Sequence, residues 1–204
     1  MNHITKPMLA GKCERPNDLS FPVLATPKLD GIRCLKLNGR ALTRSFNPVS
    51  NRFTRAWIEA NLPDGLDGEL IVRGTTFSET AGHIGRESGE PDFTFAVFDY
   101  VSDGVDVPYA CRMQELKRLP AFEHVEKILP VEIRDTAQLA DYEEKCLSQG
   151  YEGVMIRTPG LHLAMFSAER ILRVWSVSGV CSVMKSALAN SVSRSAFSTP
   201  ISMA

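Results

Sequence analysis

Apolar and polar positions along this chain change period several times, and each change marks an element. Phe21-Pro22-Val23-Leu24-Ala25 is a continuous apolar run, the pattern of a buried strand, and it leads directly into Lys28. Arg33 to Leu37 alternates, Asn38-Gly39 supplies a two-residue hairpin turn, and Ala41-Leu42-Thr43 returns. From Asn51 to Asn61 the apolar residues Phe53, Trp57 and Ile58 fall near helical spacing, and Pro63-Asp64-Gly65 ends the helix. Leu66 to Val72 reads as a strand. Thr75 to Asp92 is polar and contains glycine, which predicts a loop with at most a short helix. Phe93 to Val101 is a strongly apolar strand. Arg112 to Glu123 reads as a helix interrupted by Pro120, and Ile128 to Ile133 as a strand. Asp135 and Gln138 form a capping arrangement for a helix from Thr136 to Ser148. Leu139, Tyr142, Cys146 and Leu147 make its apolar stripe, and Gly150 is its C′ residue. Val154-Met155-Ile156 is the next strand.

Strands and helices follow one another without a βαβ repeat, which predicts an α+β fold rather than a doubly wound sheet. After Pro159 the texture changes. From Gly160 to Ala204 the only acidic residue is Glu169, and nine serines fall between Ser176 and Ser202. That composition predicts little stable structure for 160–204. It also reads as a change of reading frame rather than as a designed extension.

The chain has 204 residues, 44% of them hydrophobic, enough for one substantial core. The net charge of -1 gives no overall basic field, although a local basic face remains compatible with that total. Five scattered cysteines form no C-x-x-C pair and do not cluster with histidine, which argues against a zinc site or disulfide framework. No apolar run reaches membrane-spanning length, and the start has no signal-peptide pattern. The expectation is a cytoplasmic protein with no membrane partner.

Lys28-Leu29-Asp30-Gly31-Ile32-Arg33 fits K-x-D-G-x-R. Alone, the hexapeptide reads more readily as a turn. Companion segments change that: Lys6-Pro7-Met8-Leu9-Ala10, Leu66-Asp67-Gly68-Glu69-Leu70, Phe95-Ala96-Val97-Phe98-Asp99-Tyr100 and Tyr151-Glu152-Gly153-Val154-Met155-Ile156-Arg157. In this order and spacing, from Lys6 to Pro159, the chain resembles the adenylation domain of ATP-dependent DNA ligases, especially the small bacteriophage ligases.

The resemblance implies a nucleotidyltransferase (ATP-grasp-like) adenylation domain over 1–159, of mixed, largely antiparallel sheets with flanking helices. It implies Lys28 as the nucleophile that attacks the α-phosphate of ATP, giving a lysine–AMP adduct that is passed to the 5′-phosphate of nicked DNA. Free lysine has a pKa of about 10.4, so the amine must be activated by its surroundings. Thr26 would lie beside the adenine, with Phe98 against its face. Arg33 would contact the ribose side, and Arg44 would face ATP or the DNA 5′-phosphate, where a guanidinium donates in a fork. The bland reading of Arg44 is a solvated strand end. Glu69 and Glu152 would hold Mg2+, a hard cation that bridges one or two carboxylates to substrate phosphates. Glu69 has a second role open to it, holding the ribose hydroxyl. His83 reads as a surface residue.

Relatives continue beyond Pro159 into a lysine-x-lysine strand and an oligonucleotide-binding barrel. Neither is legible in 160–204, where Lys185 is the only lysine. The expectation is therefore a poorly active ligase, monomeric, with nicked double-stranded DNA as partner. Two other readings stay open: an mRNA capping-type guanylyltransferase, which shares the lysine motif, and a non-catalytic nucleotide- or nick-binding remnant.

Overall fold

The computed structural model describes residues 10–13, 15–101, 107–160 and, for the backbone alone, 171–175. Lys6 to Leu9 of the early segment lie outside the described residues. So does the expectation of little stable structure in 160–204, apart from Gly160 and 171–175.

The elements run β1 (Ala10–Lys12), a 3-10 turn (Pro16–Asp18), β2 (Val23–Pro27), β3 (Ile32–Leu37), β4 (Arg40–Thr43), α1 (Arg52–Asn61), β5 (Leu66–Val72), α2 (Phe77–Gly85), β6 (Phe93–Tyr100), α3 (Tyr109–Arg118), β7 (Val125–Lys127), β8 (Val131–Ile133), α4 (Thr136–Ser148), β9 (Gly153–Arg157) and β10 (Ile171–Trp175). They form two five-stranded sheets, in the orders β1-β10-β9-β2-β8 and β4-β3-β5-β6-β7. Every pairing is antiparallel except β1 with β10 and β6 with β7. This is the α+β arrangement of mixed, largely antiparallel sheets that the element order predicts.

Helices α1, α2 and α3 cover the second sheet. Ile58, Leu66, Leu70, Ile84, Phe93, Phe95, Tyr109 and Leu116 form the main core there. A second cluster holds α4 to the first sheet through Val23, Ala25, Leu139, Cys146, Val154 and Ile156. A third, Ala96, Phe98 and Ile128, is packed by Leu29 and Ile71.

The cap residues fix α1 and α4 as expected. Asn51 Oδ1 accepts from Thr54 N–H, and Asp135 Oδ1 from Gln138 N–H, each at 2.8 Å. Gln138 Oε1 reaches back to Arg134 N–H. Leu147 departs from the predicted stripe and is 36% exposed.

Three elements differ from the sequence reading. The polar stretch after Thr75 contains a nine-residue helix, α2, because Thr76 and Glu79 form a full capping box. Helix α3 begins at Tyr109, after Pro108, and stops at Arg118, because Pro120 disfavours helical backbone at Leu119. The strand expected at 128–133 is shorter: only Val131–Ile133 forms β8, and residues 128–130 link it to β7, which ends at Lys127 in the other sheet. At Val174 and Trp175 the backbone is ordered as part of β10, between β1 and β9.

Candidate active site

Residues that are distant in sequence meet because two glycines allow close approach. A Cβ on Gly31 would lie 2.7 Å from Leu70 O and 3.0 Å from Glu69 Cβ, so only glycine lets the loop after Lys28 rest on β5. A Cβ on Gly68 would lie 2.3 Å from Ala96 O, which ties β5 to β6 beside Phe98. On the other side, pairing of β2 with β9 continues past Pro27. Lys28 N–H donates to Gly153 O at 2.8 Å, and Glu152 N–H to Lys28 O at 3.4 Å. Lys28 and Glu152 are thereby adjacent, and the Lys28 ammonium forms an ion pair with the Glu152 carboxylate.

These elements enclose a cleft of about 630 Å³, within the size range of small-molecule sites. Thr26, Lys28, Arg33, Arg44, Glu69 and Phe98 all line it. Glu152 is not a lining residue and reaches the cleft through Lys28. His83 is exposed on α2 and does not line this cleft.

Glu69 stands opposite Arg33 in the β3–β5 register. Its Oε2 is buried and has no hydrogen-bond partner. Burial pushes its pKa up to about 8; Arg33 and Lys28 work against that rise, and Asp67 and Asp30 add to it. Arg33 spends two donors on Asp67, at 2.5 and 2.6 Å. Its guanidinium lies 4.6 Å from the centroid of the Phe98 ring. Phe98 itself is 8% exposed. The adjacent Asp99 accepts a bidentate pair from buried Arg112, at 2.7 and 2.9 Å.

The sequence reading missed Arg157, Asp67 and Met155. Arg157 ends β9, is 2% exposed and lines the cleft beside Met155. The available signal was a single cation closing an otherwise apolar strand two residues after Met155, the spacing that puts both on one face. Asp67 opens the D-G-E segment, and its partnership with Arg33 depends on strand register, which the motif alone does not reveal. Among the described residues, no group of three His, Cys, Asp or Glu side chains forms a metal cage. Glu69 and Asp30 are carboxylates lining the cleft, and Glu152 joins them through its pair with Lys28.

No protein-family model and no curated protein matches the chain. Solved structures do. The chain is 34% identical to the Chlorella virus DNA ligase–adenylate, with a TM-score of 0.76 over 83% of this chain and 68% of that one. A Lig E DNA ligase matches at 21% identity and a TM-score of 0.68, over 85% of this chain and 70% of that one. The ATP-dependent DNA ligase of bacteriophage T7, in complex with ATP, matches at 16% identity and 0.66, over 85% and 69%. The last two share the fold. The first, similar in sequence over more than two thirds of its own length, makes this chain a member of the ATP-dependent DNA ligases, and the domain described is their nucleotidyltransferase domain.

Proposed function

We propose that Lys28 is the residue this ligase adenylates. Its Nζ, having given up a proton to solvent, attacks the α-phosphorus of ATP, an N–P bond forms, and the bond from that phosphorus to the bridging oxygen of pyrophosphate breaks. The AMP then passes to the 5′-phosphate of nicked double-stranded DNA. The observation that carries this reading is the position of Lys28 in the cleft, beside Glu152 and across from Glu69. Glu152 holds the ammonium in place before nucleotide enters. Phe98 and Thr26 form the base end, Arg33 the ribose side, and Arg44 the phosphate end.

Magnesium fits the donor set. Glu69 Oε2 is buried without a partner, Glu152 is a second carboxylate, and Mg2+ takes one or two carboxylates together with substrate phosphates. Bound there, it would offset the negative charge on the departing pyrophosphate. The protein acts as a monomer in the cytoplasm, in DNA repair, replication and recombination. Among the described residues, no helix is long and apolar enough to cross a membrane.

The adenylation domain spans residues 1–159, and β10 adds a strand to its first sheet. β10 carries the sequence Ile171-Leu172-Arg173-Val174-Trp175, with no lysine. We therefore expect slow adenylation. The experiment is incubation of the 204-residue chain with α-labelled ATP and Mg2+, with labelled GTP as the contrast, and mass-spectrometric mapping of the adduct. Label on Lys28 from ATP, abolished in Lys28→Ala, supports the assignment; label at another residue overturns it.

A further inference from the structure

Arg157 is a buried cation with an unusual set of neighbours. Burying it is costly, and an apolar side chain of similar volume would fill the space more cheaply if packing were its only role. Asp67 supplies part of the compensating charge. The remaining contacts join two walls of the cleft. Nη1 donates to Thr26 Oγ1 at 3.2 Å, across the β2–β9 pair of the first sheet. The guanidinium carbon lies 5.2 Å from the centroid of the Phe98 ring on β6 of the second sheet. It also lies 4.9 Å from the Tyr109 ring on α3. Tyr109 in turn donates from its hydroxyl to Phe98 O at 3.3 Å. Nε of Arg157 is buried and has no hydrogen-bond partner, so hydrogen bonding alone does not explain why the group is held there.

Thr26 and Phe98 both line the cleft, and they belong to different sheets. Thr26 sits two residues before Lys28 on the same face of the chain, about 7 Å along an extended strand. A hydroxyl that accepts from Arg157 keeps its own proton for an acceptor elsewhere. A guanidinium against an aromatic ring restrains the ring by cation–π attraction.

We propose that Arg157 is a positioning residue for the base end of the cleft: it sets the separation of Thr26 and Phe98, and so the affinity and choice for the purine, without acting on the phosphates. The inference rests on the reading of Thr26 and Phe98 as the base end.

The test uses the full 204-residue chain and three probes measured by titration calorimetry: ATP, adenosine and inorganic tripolyphosphate. Arg157→Met removes the hydrogen bond and the cation. It should weaken ATP and adenosine binding about tenfold, the size of one lost hydrogen bond to a charged group. Tripolyphosphate affinity should stay within about twofold of the parent, and the preference for ATP over GTP should narrow. If ATP affinity is unchanged, or if tripolyphosphate affinity falls in step with ATP, the inference is overturned. Should Arg157→Met fail to fold, Arg157→Lys carries the test, since it keeps the charge and loses the planar fork. The same split between adenosine and tripolyphosphate supports the proposal, and an unchanged adenosine affinity overturns it. A parent chain that binds no ATP at all would refute the nucleotide reading itself, a result distinct from any failure of the Arg157 variants.

Discussion

Lys28 and Glu152 are joined twice, by the ion pair of their side chains and by the backbone hydrogen bond from Glu152 N–H to Lys28 O. The backbone link survives substitution of either side chain. A change at Glu152 therefore tests the carboxylate without moving Lys28. Because Glu152 is exposed, the pair is screened and contributes on the order of 1 kcal/mol or less to stability. Glu152→Gln should leave the urea midpoint almost unchanged. It should lower the rate of Lys28–AMP formation about 10²-fold, as removal of one preorganised charged group does in other enzymes. Single-turnover labelling with α-labelled ATP measures the rate.

Glu69 makes stability depend on pH in the opposite sense from a salt-bridged carboxylate. Its folded pKa is raised to about 8. The folded state therefore binds more protons than the unfolded state from the ordinary carboxylate range up to about 8. Stability from this group is full below that window and is lost as pH rises through it, at up to about 1.4 kcal/mol per pH unit. Urea titrations between pH 5 and 8.5 should show the decline, and Glu69→Gln should flatten it. Equal slopes in both proteins would contradict the assignment. If Mg2+ binds the ionised form, its affinity should rise over the same interval.

The Asp99–Arg112 pair is buried on both sides and bidentate. Asp99→Asn leaves a buried guanidinium without its counter-charge and should cost about 3–5 kcal/mol. Glu87→Gln, which breaks the exposed pair with Arg52, should cost about 1 kcal/mol or less. Chemical denaturation of the two variants side by side gives the comparison.

Gly68→Ala places a methyl group 2.3 Å from Ala96 O, a backbone atom that cannot rotate away. Strands β5 and β6 must separate locally, at a cost of about 1–3 kcal/mol. Gly82→Ala on α2 meets nothing within 4 Å and should be neutral or stabilising. A thermal melt of each variant decides the point.

Local signals carried much of this fold. α4 was legible to the residue because Asp135, the apolar period and Gly150 all agree. The Asn38-Gly39 hairpin was legible because both residues take positive φ in the turn. What escaped were features set by distant partners. Arg112 was read only as the start of a helix, and Asp99, on another element, explains why it is buried. The apolar run at 128–133 gave no sign that only its second half, after Pro130, joins a sheet. The candidate site followed the same rule. Lys28, Glu69 and Glu152 announce themselves through glycine-bearing motifs, whereas Arg157 and Asp67 matter through register and crossing contacts.

The second sheet is drawn entirely from residues 32–127, and the first from strands scattered between Ala10 and Trp175. The second can therefore form from nearby segments while the ribosome is still making the rest. The first must wait for β9 and then β10, because loops spanning much of the chain have to close before β1 and β2 gain partners. The cleft lies on the seam between an early unit and a late one. We predict from this topology that Phe98 and Glu69 are in place before Thr26 and Arg157 pair, so that nucleotide binding reports on a late step of folding. Pulsed hydrogen exchange during refolding should show amides of β3, β5 and β6 protected before those of β2 and β9, and simultaneous protection would rule this order out.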